Sequence, residues 1–291
     1  MNKYEKFLIK EVKKKNTFVL TAENLLAIRN LGRKNILDVG ICEQSLIGVA
    51  AGMAKNGGRC YVHALSNFLI CRAYEFLKID LDYNNCNCVL VGSMGGVQST
   101  FNGPTHQAID EMSILENFNT FDIFFPSSID EMTNILSKFK FNKTIYARFN
   151  QKTNQEIGIK KKDVTNNFLL KQGKDLIISN GIVISYLYKL INQDKELKNK
   201  YSLFNFSYIN KNNFSYDIKK FLNYKKILII EDHLENGSIY SKLKVLISQK
   251  KHKNKLKAIN FGKKYFSTNR ETIDIFQDLG ITKKNLLNFK I

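Results

Sequence analysis

Proline, cysteine and long apolar runs are scarce in this chain of 291 residues. The two prolines exclude a proline-rich linker, and the five cysteines, an odd number without paired spacing, argue against a disulfide scaffold. No apolar run approaches the ~18 residues of a membrane-spanning helix, and no apolar signal segment follows residues 1–6. We therefore expect a cytoplasmic protein with no membrane partner.

Acidic residues are also scarce, because 26 Asp and Glu stand against 45 Lys and Arg, which gives a formal net charge of +19. Such a charge is typical of proteins that bind nucleic acid. The lysines, however, are spread along the whole sequence and are not gathered on one helix or tail. We interpret the charge as solvated surface that favours anionic substrates, and we predict no nucleic-acid partner.

The sequence also lacks cysteine and histidine residues at the spacing of a metal site. Cys86 and Cys88 form a lone C-x-C pair, with no second cysteine pair or histidine at the spacing of a zinc site. No residue of this chain is therefore predicted to bind a metal.

Predicted strands and helices alternate along the chain, which indicates α/β domains with mostly parallel sheets. In the first half, strands are predicted at 17–20, 36–39, 60–64, 88–91, 123–125 and 144–148, and helices at 43–55, 68–81, 107–117 and 129–139. In the second half, strands are predicted at 175–179, 202–206, 226–230 and 257–261, and helices at 183–192, 238–248 and 270–279. The sequence thus predicts two α/β domains, over 1–150 and, smaller, over 172–291, with a polar linker at 151–171.

One carboxylate stands where a strand turns into a helix. A short strand pattern precedes Gly40, which permits a sharp turn, and a helical pattern begins at Glu43. An isolated Glu in a first helical turn is most often a solvated or capping residue. Loops 40–43, 65–68 and 92–106, however, all follow predicted parallel strands, whose carboxyl ends form the ligand crevice of such sheets. Glu43 is therefore a candidate functional residue.

Four motifs occur in a fixed order along the chain: DVGICEQ at 38–44, SNFLICRAYE at 66–75, NGPTHQ at 102–107 and GKDLIISNG at 173–181. A weaker fifth motif is IEDH at 230–233. Together they resemble the C-terminal half of transketolase-like, thiamine-diphosphate-dependent enzymes over nearly the whole chain. The resemblance implies a parallel-sheet pyrimidine-binding domain followed by a smaller α/β transketolase C-terminal domain.

The resemblance also implies a cofactor site. Glu43 corresponds to the catalytic carboxylate that hydrogen-bonds ring nitrogen N1′ of the cofactor's aminopyrimidine, and Phe68 to the aromatic residue that stacks on that ring. Leu65 and Arg72 are expected to line the same pocket, although Arg72 equally fits a structural ion pair. Cys42, beside Glu43, offers the alternative of a reactive thiol, but no histidine lies nearby in the sequence to activate it.

A substrate site is implied as well. His106 corresponds to the family histidine that faces the substrate and takes part in catalysis, and Arg148 to an arginine near the substrate phosphate. Asn102 stands where transketolases commonly have Asp, so a charged contact to a donor hydroxyl becomes a neutral amide. The substrates are expected to be sugars or sugar phosphates.

The magnesium and diphosphate motif of the family is missing from this sequence. No Gly-Asp-Gly is followed by the Asn that would hold Mg²⁺, and the glycine-rich loop at 92–96 lacks acidic oxygens. The resemblance therefore implies a partner, an N-terminal transketolase subunit that binds Mg²⁺ and the diphosphate end of thiamine diphosphate, in an assembly expected to be α₂β₂.

Several functions remain open at this point. The first is a two-subunit transketolase that moves a two-carbon ketol unit between sugars, including a modified or nucleotide-linked sugar in surface-polysaccharide synthesis. A 2-oxo acid dehydrogenase β subunit or a deoxyxylulose-phosphate-synthase-like enzyme is the enzymatic alternative. A non-catalytic binding subunit, whose basic charge would serve nucleic acid, is the third.

Overall fold

A computed structural model of the chain describes residues 1–150, 168–209, 220–249, 253–262, 265–266 and 271–289. These residues form one sheet of seven strands and one of five. The strands are β1 (Thr17–Thr21), β2 (Ile36–Asp38), β3 (Arg59–Leu65), β4 (Val89–Ser93), β5 (Phe121–Phe124), β6 (Thr144–Phe149), β7 (Phe168–Lys171), β8 (Asp175–Ser179), β9 (Tyr201–Asn205), β10 (Tyr208–Ile209), β11 (Lys226–Ile230) and β12 (Lys255–Ile259).

Both sheets are mostly parallel, as the sequence predicts. The strand order is β10-β5-β6-β4-β3-β1-β2 in the first sheet and β12-β11-β8-β9-β7 in the second. The antiparallel pairings are those of β10 with β5 and of β7 with β9, each at the edge of its sheet. The α/β fold class is therefore confirmed.

Helices separate most of the parallel strands along the chain. They are α1 (Lys3–Glu11), α2 (Glu43–Lys55), α3 (Tyr74–Phe76), α4 (Glu111–Leu115), α5 (Ile129–Ser137), α6 (Gly181–Asn192), α7 (Lys195–Lys200), α8 (Ile239–Gln249), α9 (Thr272–Asp278) and α10 (Lys283–Asn288). Within the part of the chain that the structure describes, none of them has the length and apolar character needed to cross a membrane.

Helix α2 has the bounds that the sequence predicts. Gly40 has a φ of +76°, which a glycine adopts without strain, and it turns the chain between β2 and the helix. Leu46, Ile47 and Ala50 lie on one face of α2 and are fully buried. This apolar face fixes the helix against the sheet and so positions Glu43 at the start of its first turn.

Two predicted helices differ from the structure. Instead of one regular helix over 68–81, the chain forms π-helical segments at Phe68–Arg72 and Leu77–Tyr83 with the short helix α3 between them. The helix predicted over 107–117 is reduced to Glu111–Leu115. Before it, Gln107 is extended and Ala108 forms an antiparallel bridge with Gly96, so the backbone groups of Ala108 are bound to Gly96 instead of to a helix.

The two halves of the chain are joined more closely than a two-domain division implies. Residues 168–171 belong to the predicted linker 151–171 yet form β7 of the second sheet, while residues 151–167 of that linker lie outside the described residues. Strand β10, from the predicted second domain, pairs with β5 of the first sheet. One apolar cluster also contains Leu90 of the first sheet and Ile229 of the second. The two sheets therefore share part of one core.

Candidate active site

Glu43 is the first residue of α2 and lies beyond the carboxyl end of β2. Its side chain is buried, with 3% exposed, and one carboxylate oxygen, Oε2, accepts a hydrogen bond of 2.7 Å from Nη1 of Arg72. A buried carboxylate at a helix N-terminus is stabilised by the helix dipole and by its cationic partner. The structure thus places a carboxylate at the turn where the sequence predicts one, and it buries that carboxylate.

Phe68 lies beside this ion pair, three residues after β3 ends. Its ring is contacted from two directions. The Arg72 guanidinium carbon lies 4.2 Å from the ring centroid, and the His106 ring makes an edge-to-face contact with centroids 4.9 Å apart at 67°. Glu43, Phe68, Arg72 and His106 therefore form one cluster, which we call the pyrimidine-site cluster.

His106 ends a short 3₁₀ turn, Pro104–His106, that is tied to the loop carrying Phe68. Asn67 Nδ2 donates a hydrogen bond of 2.6 Å to the carbonyl oxygen of Thr105, and the Thr105 hydroxyl lies 3.0 Å from His106 Nδ1. Burial, and then the positive charge of Arg72, lower the pKa of His106 below its usual range. The ring is therefore held neutral near pH 7, when it can both donate and accept a hydrogen bond.

This account predicts that Arg72→Met raises the pKa of His106, because the substitution removes a nearby positive charge and leaves the packing of the ring in place. The measurement is an NMR titration of the His106 ring in the isolated chain. Arg59→Met is the matched control, since Arg59 also pairs with a buried Glu (Glu11, 3.0 Å) and lies over an aromatic ring (Phe141, 4.9 Å). Arg59 begins β3 at the end opposite the cluster, so its loss should leave His106 unchanged. An unchanged pKa in Arg72→Met would contradict the account.

The remaining residues predicted for the site, Leu65 and Asn102, are near members of the cluster along the chain. Leu65 is the last residue of β3 and is half-buried, three residues before Phe68. Asn102 is exposed at the end of the turn Thr100–Asn102, and its backbone N–H donates to the Ser99 carbonyl at 2.9 Å. Asn102 precedes the His106 turn, so its exposed side chain can meet a molecule entering from solvent.

Arg148, which the sequence predicts to contact a substrate phosphate, makes ion pairs within the protein in this structure. Its side chain is only 1% exposed, and Nη1 donates to both carboxylate oxygens of Asp232 at 2.8 and 2.9 Å. Nη2 donates to Glu111, and the guanidinium carbon lies 4.2 Å from the Phe125 ring centroid. A guanidinium with both terminal nitrogens bound to buried carboxylates is not accessible to a substrate phosphate. Arg148 instead joins the two sheets, because Asp232 follows β11 of the second.

Further polar residues connect this ion pair to the site. The Tyr146 hydroxyl donates to Glu111 and lies 3.1 Å from the Ser66 hydroxyl, two residues before Phe68. Burial raises the pKa of both Glu111 and Asp232, and the charge of Arg148 opposes this rise. Two of these residues lie in motifs of the sequence: Asp232 in the weak motif IEDH, and Ser66 at the start of SNFLICRAYE.

The pyrimidine-site cluster fits one end of the cofactor that the resemblance implies. A flat aromatic ring and a buried carboxylate are the contacts that a nitrogen heterocycle would need, and in this structure the planar guanidinium of Arg72 makes both. Glu43 and Phe68 would hold such a ring. Among the described residues, no group of three or more His, Cys, Asp or Glu side chains is placed to hold a metal ion.

Comparison with known proteins shows one matching family. The transketolase pyrimidine-binding domain matches residues 8–143, a range that contains all four members of the pyrimidine-site cluster.

Several relatives are named as transketolase subunits, and two of them illustrate the similarity. One is an apulose-4-phosphate transketolase subunit of Actinobacillus succinogenes, 37% identical over 123 residues, or 42% of this chain and 40% of the relative. The other is a 6-deoxy-6-sulfo-D-fructose transketolase subunit of Clostridium sp. (strain MSTE9), 24% identical over 192 residues, or 62% of this chain and 60% of the relative. The matches thus span less than two thirds of either relative.

A solved structure described as a split gene transketolase, in an inactive β4 tetramer, is similar in fold. Its TM-score is 0.78 at 16% sequence identity, and the match covers 98% of this chain and 94% of that chain. At this identity the similarity shows the fold, which extends over both sheets.

Proposed function

Residues 8–143 of this chain belong to the transketolase pyrimidine-binding domain family, and from that premise we propose that the protein is the C-terminal subunit of a two-subunit transketolase. This enzyme depends on thiamine diphosphate and transfers a two-carbon ketol unit between sugars. A cytoplasmic location and a role in carbohydrate metabolism are part of the same proposal.

One observation carries the proposal: a buried carboxylate, Glu43, lies beside an aromatic ring, Phe68, at the carboxyl ends of parallel strands. Thiamine diphosphate supplies an electron sink for breaking the bond next to a ketose carbonyl. In this chain, Glu43 would hold ring nitrogen N1′ through a shared proton, and Phe68 would pack on the ring and keep water away from that proton. His106, neutral and hydrogen-bonded, orients a substrate hydroxyl at the mouth of the site.

The proposed partner is an N-terminal transketolase subunit that binds the diphosphate and Mg²⁺. Two observations support a separate partner chain. Both relatives are named as subunits of a transketolase, and this chain matches 94% of the solved split gene transketolase chain. We propose that the two subunits assemble as α₂β₂, with each pyrimidine-site cluster facing the partner's diphosphate site.

The proposed donor is a modified sugar or sugar phosphate. The named substrates of the two relatives, apulose 4-phosphate and 6-deoxy-6-sulfo-D-fructose, are of this kind. Within this chain, Asn102 offers an uncharged amide at the mouth of the site, and Arg148 is withdrawn into its ion pairs with Glu111 and Asp232. Both features favour a donor recognised differently from a simple pentose phosphate.

The test is to mix the chain with the product of a neighbouring gene for an N-terminal subunit, add thiamine diphosphate and Mg²⁺, and measure turnover of ketose donors. We expect turnover only in the mixture, with apulose 4-phosphate, 6-deoxy-6-sulfo-D-fructose or a nucleotide-linked sugar preferred over xylulose 5-phosphate. Turnover of pyruvate or branched 2-oxo acids instead would favour the dehydrogenase or synthase alternative. No turnover of any donor, together with salt-sensitive binding of DNA or RNA, would favour a non-catalytic subunit.

A further inference from the structure

Arg72 makes both of the contacts that the proposed function assigns to the aminopyrimidine. Its guanidinium is flat, lies over the Phe68 ring at 4.2 Å and donates to Glu43 at 2.7 Å. We propose that Arg72 and the aminopyrimidine compete for one position, so that the cofactor binds only when the guanidinium leaves the space between Phe68 and Glu43. Arg72 is then a competitor of the cofactor and not one of its ligands, which is the opposite of the role that the sequence resemblance implies.

The competition follows from the size of the groups. A ring that stacks on an aromatic face comes within van der Waals distance of it, and the guanidinium already lies at that distance. A nitrogen that bonds to Glu43 must also approach the carboxylate within about 3 Å, a distance that Arg72 Nη1 already occupies. The guanidinium bonds only Oε2 of Glu43, so the carboxylate could still accept a second hydrogen bond at Oε1. The stacking position cannot be shared in this way, because two planar groups cannot lie on the same face of the Phe68 ring.

The Arg72 side chain is placed so that it can move out of the site into solvent. Its side chain is 38% exposed, whereas that of Glu43 is 3% exposed, so the cation lies at the mouth and the anion at the floor. Arginine has a long flexible side chain that can keep its charged end in water, and this end is already partly exposed, so moving it further into solvent is easier than moving a buried group. Arg72 also ends the π-helical segment that Phe68 begins, an irregularity that is frequent at functional sites.

Arg59 provides a matched pair within the same chain. Like Arg72, it is about one-third exposed, at 34%, bonds to a buried carboxylate (Glu11, 7% exposed) and lies over an aromatic ring (Phe141). It does so at the opposite end of β3. Loss of Arg59 therefore removes the same kinds of interaction as loss of Arg72 without touching the pyrimidine-site cluster.

The experiment measures binding of thiamine diphosphate with Mg²⁺ to the reconstituted two-subunit enzyme, by calorimetry, for wild type, Arg72→Met and Arg59→Met. A half-exposed ion pair with a stacked ring is worth about 1 kcal/mol, or a factor of about five. We therefore expect Arg72→Met to bind the cofactor about five-fold more tightly and Arg59→Met to bind it like wild type. Thiamine added to the isolated, isotope-labelled chain should also shift the NMR signal of the Arg72 side chain and leave that of Arg59 unchanged.

The proposed competition rests on the proposed function. The variants Glu43→Gln and Phe68→Ala are therefore included, so that failure of the competition can be distinguished from failure of the proposed function. If either of them weakens cofactor binding while Arg72→Met tightens it, both the proposed function and the competition are supported. If Arg72→Met instead weakens binding or leaves it unchanged, the competition is wrong and the proposed function stands. If neither Glu43→Gln nor Phe68→Ala affects binding, the cofactor does not use this cluster, and both fail.

Discussion

Glu43→Gln should lower turnover by the reconstituted enzyme by about 10²–10⁴-fold, the range over which proton transfer by a positioned side chain contributes to catalysis. The substitution keeps the shape of the side chain and its ability to bond to Arg72, but an amide cannot share a proton with ring nitrogen N1′. The loss should therefore appear in kcat, while the affinity for the sugar donor changes little. The measurement is steady-state turnover of the preferred donor with saturating cofactor.

Glu11→Gln is the matched control for Glu43→Gln. Glu11 is also a buried carboxylate paired with an arginine, Arg59, but it ends helix α1, far along the chain from the cluster. If Glu43 had only a structural role, Glu43→Gln and Glu11→Gln would have similar effects on activity and on thermal stability. Equal activity of Glu43→Gln and wild type would show that Glu43 is not the proton-sharing group.

The position of Glu43 could be predicted because its causes are local. A strand pattern, a glycine able to turn the chain and an apolar helical face all lie within about twenty residues, and each acts on its immediate neighbours. The structure reproduces them, with α2 over Glu43–Lys55. Phe68 and His106 could be placed in one crevice for a related reason, since their loops follow parallel strands that end at the same edge of a sheet.

Two strands that were not predicted depend on distant partners. Strands β7 and β10 are short, at four and two residues, and exist because they pair antiparallel with sheet edges that the rest of the chain provides. The sequence allowed two roles for Arg72, a cofactor contact or a structural ion pair, because it does not show which carboxylate a flexible side chain reaches. Periodicity carries no information about such contacts.

Arg148 is the clearest example of a residue whose partners in the fold could not be predicted from the sequence. Its sequence motif resembles that of a substrate-phosphate arginine, but two acidic residues far along the chain, Glu111 and Asp232, enclose it in the fold. The structure predicts that Arg148→Met destabilises the isolated chain by about 3–5 kcal/mol, because breaking a buried ion pair leaves uncompensated charge in the interior. Urea unfolding of the chain, followed by circular dichroism, measures this loss.

The free energy of unfolding that Arg148→Met loses should be regained when the two unpaired carboxylates, Glu111 and Asp232, are removed together with the arginine. The triple variant Arg148→Met, Glu111→Gln, Asp232→Asn keeps the size of each side chain, and we expect it to be clearly more stable than Arg148→Met alone. Arg59→Met, which breaks a half-exposed pair, should cost only about 0–1 kcal/mol. If Arg148→Met does not fold, Asp232→Asn offers a milder test, since it removes one of the two carboxylates and leaves the other paired. The opposite result would be an Arg148→Met chain of normal stability whose KM rises only for phosphorylated donors. That result would support the contact with a substrate phosphate that the sequence predicts. The guanidinium would then have to leave Glu111 and Asp232 when a phosphate binds.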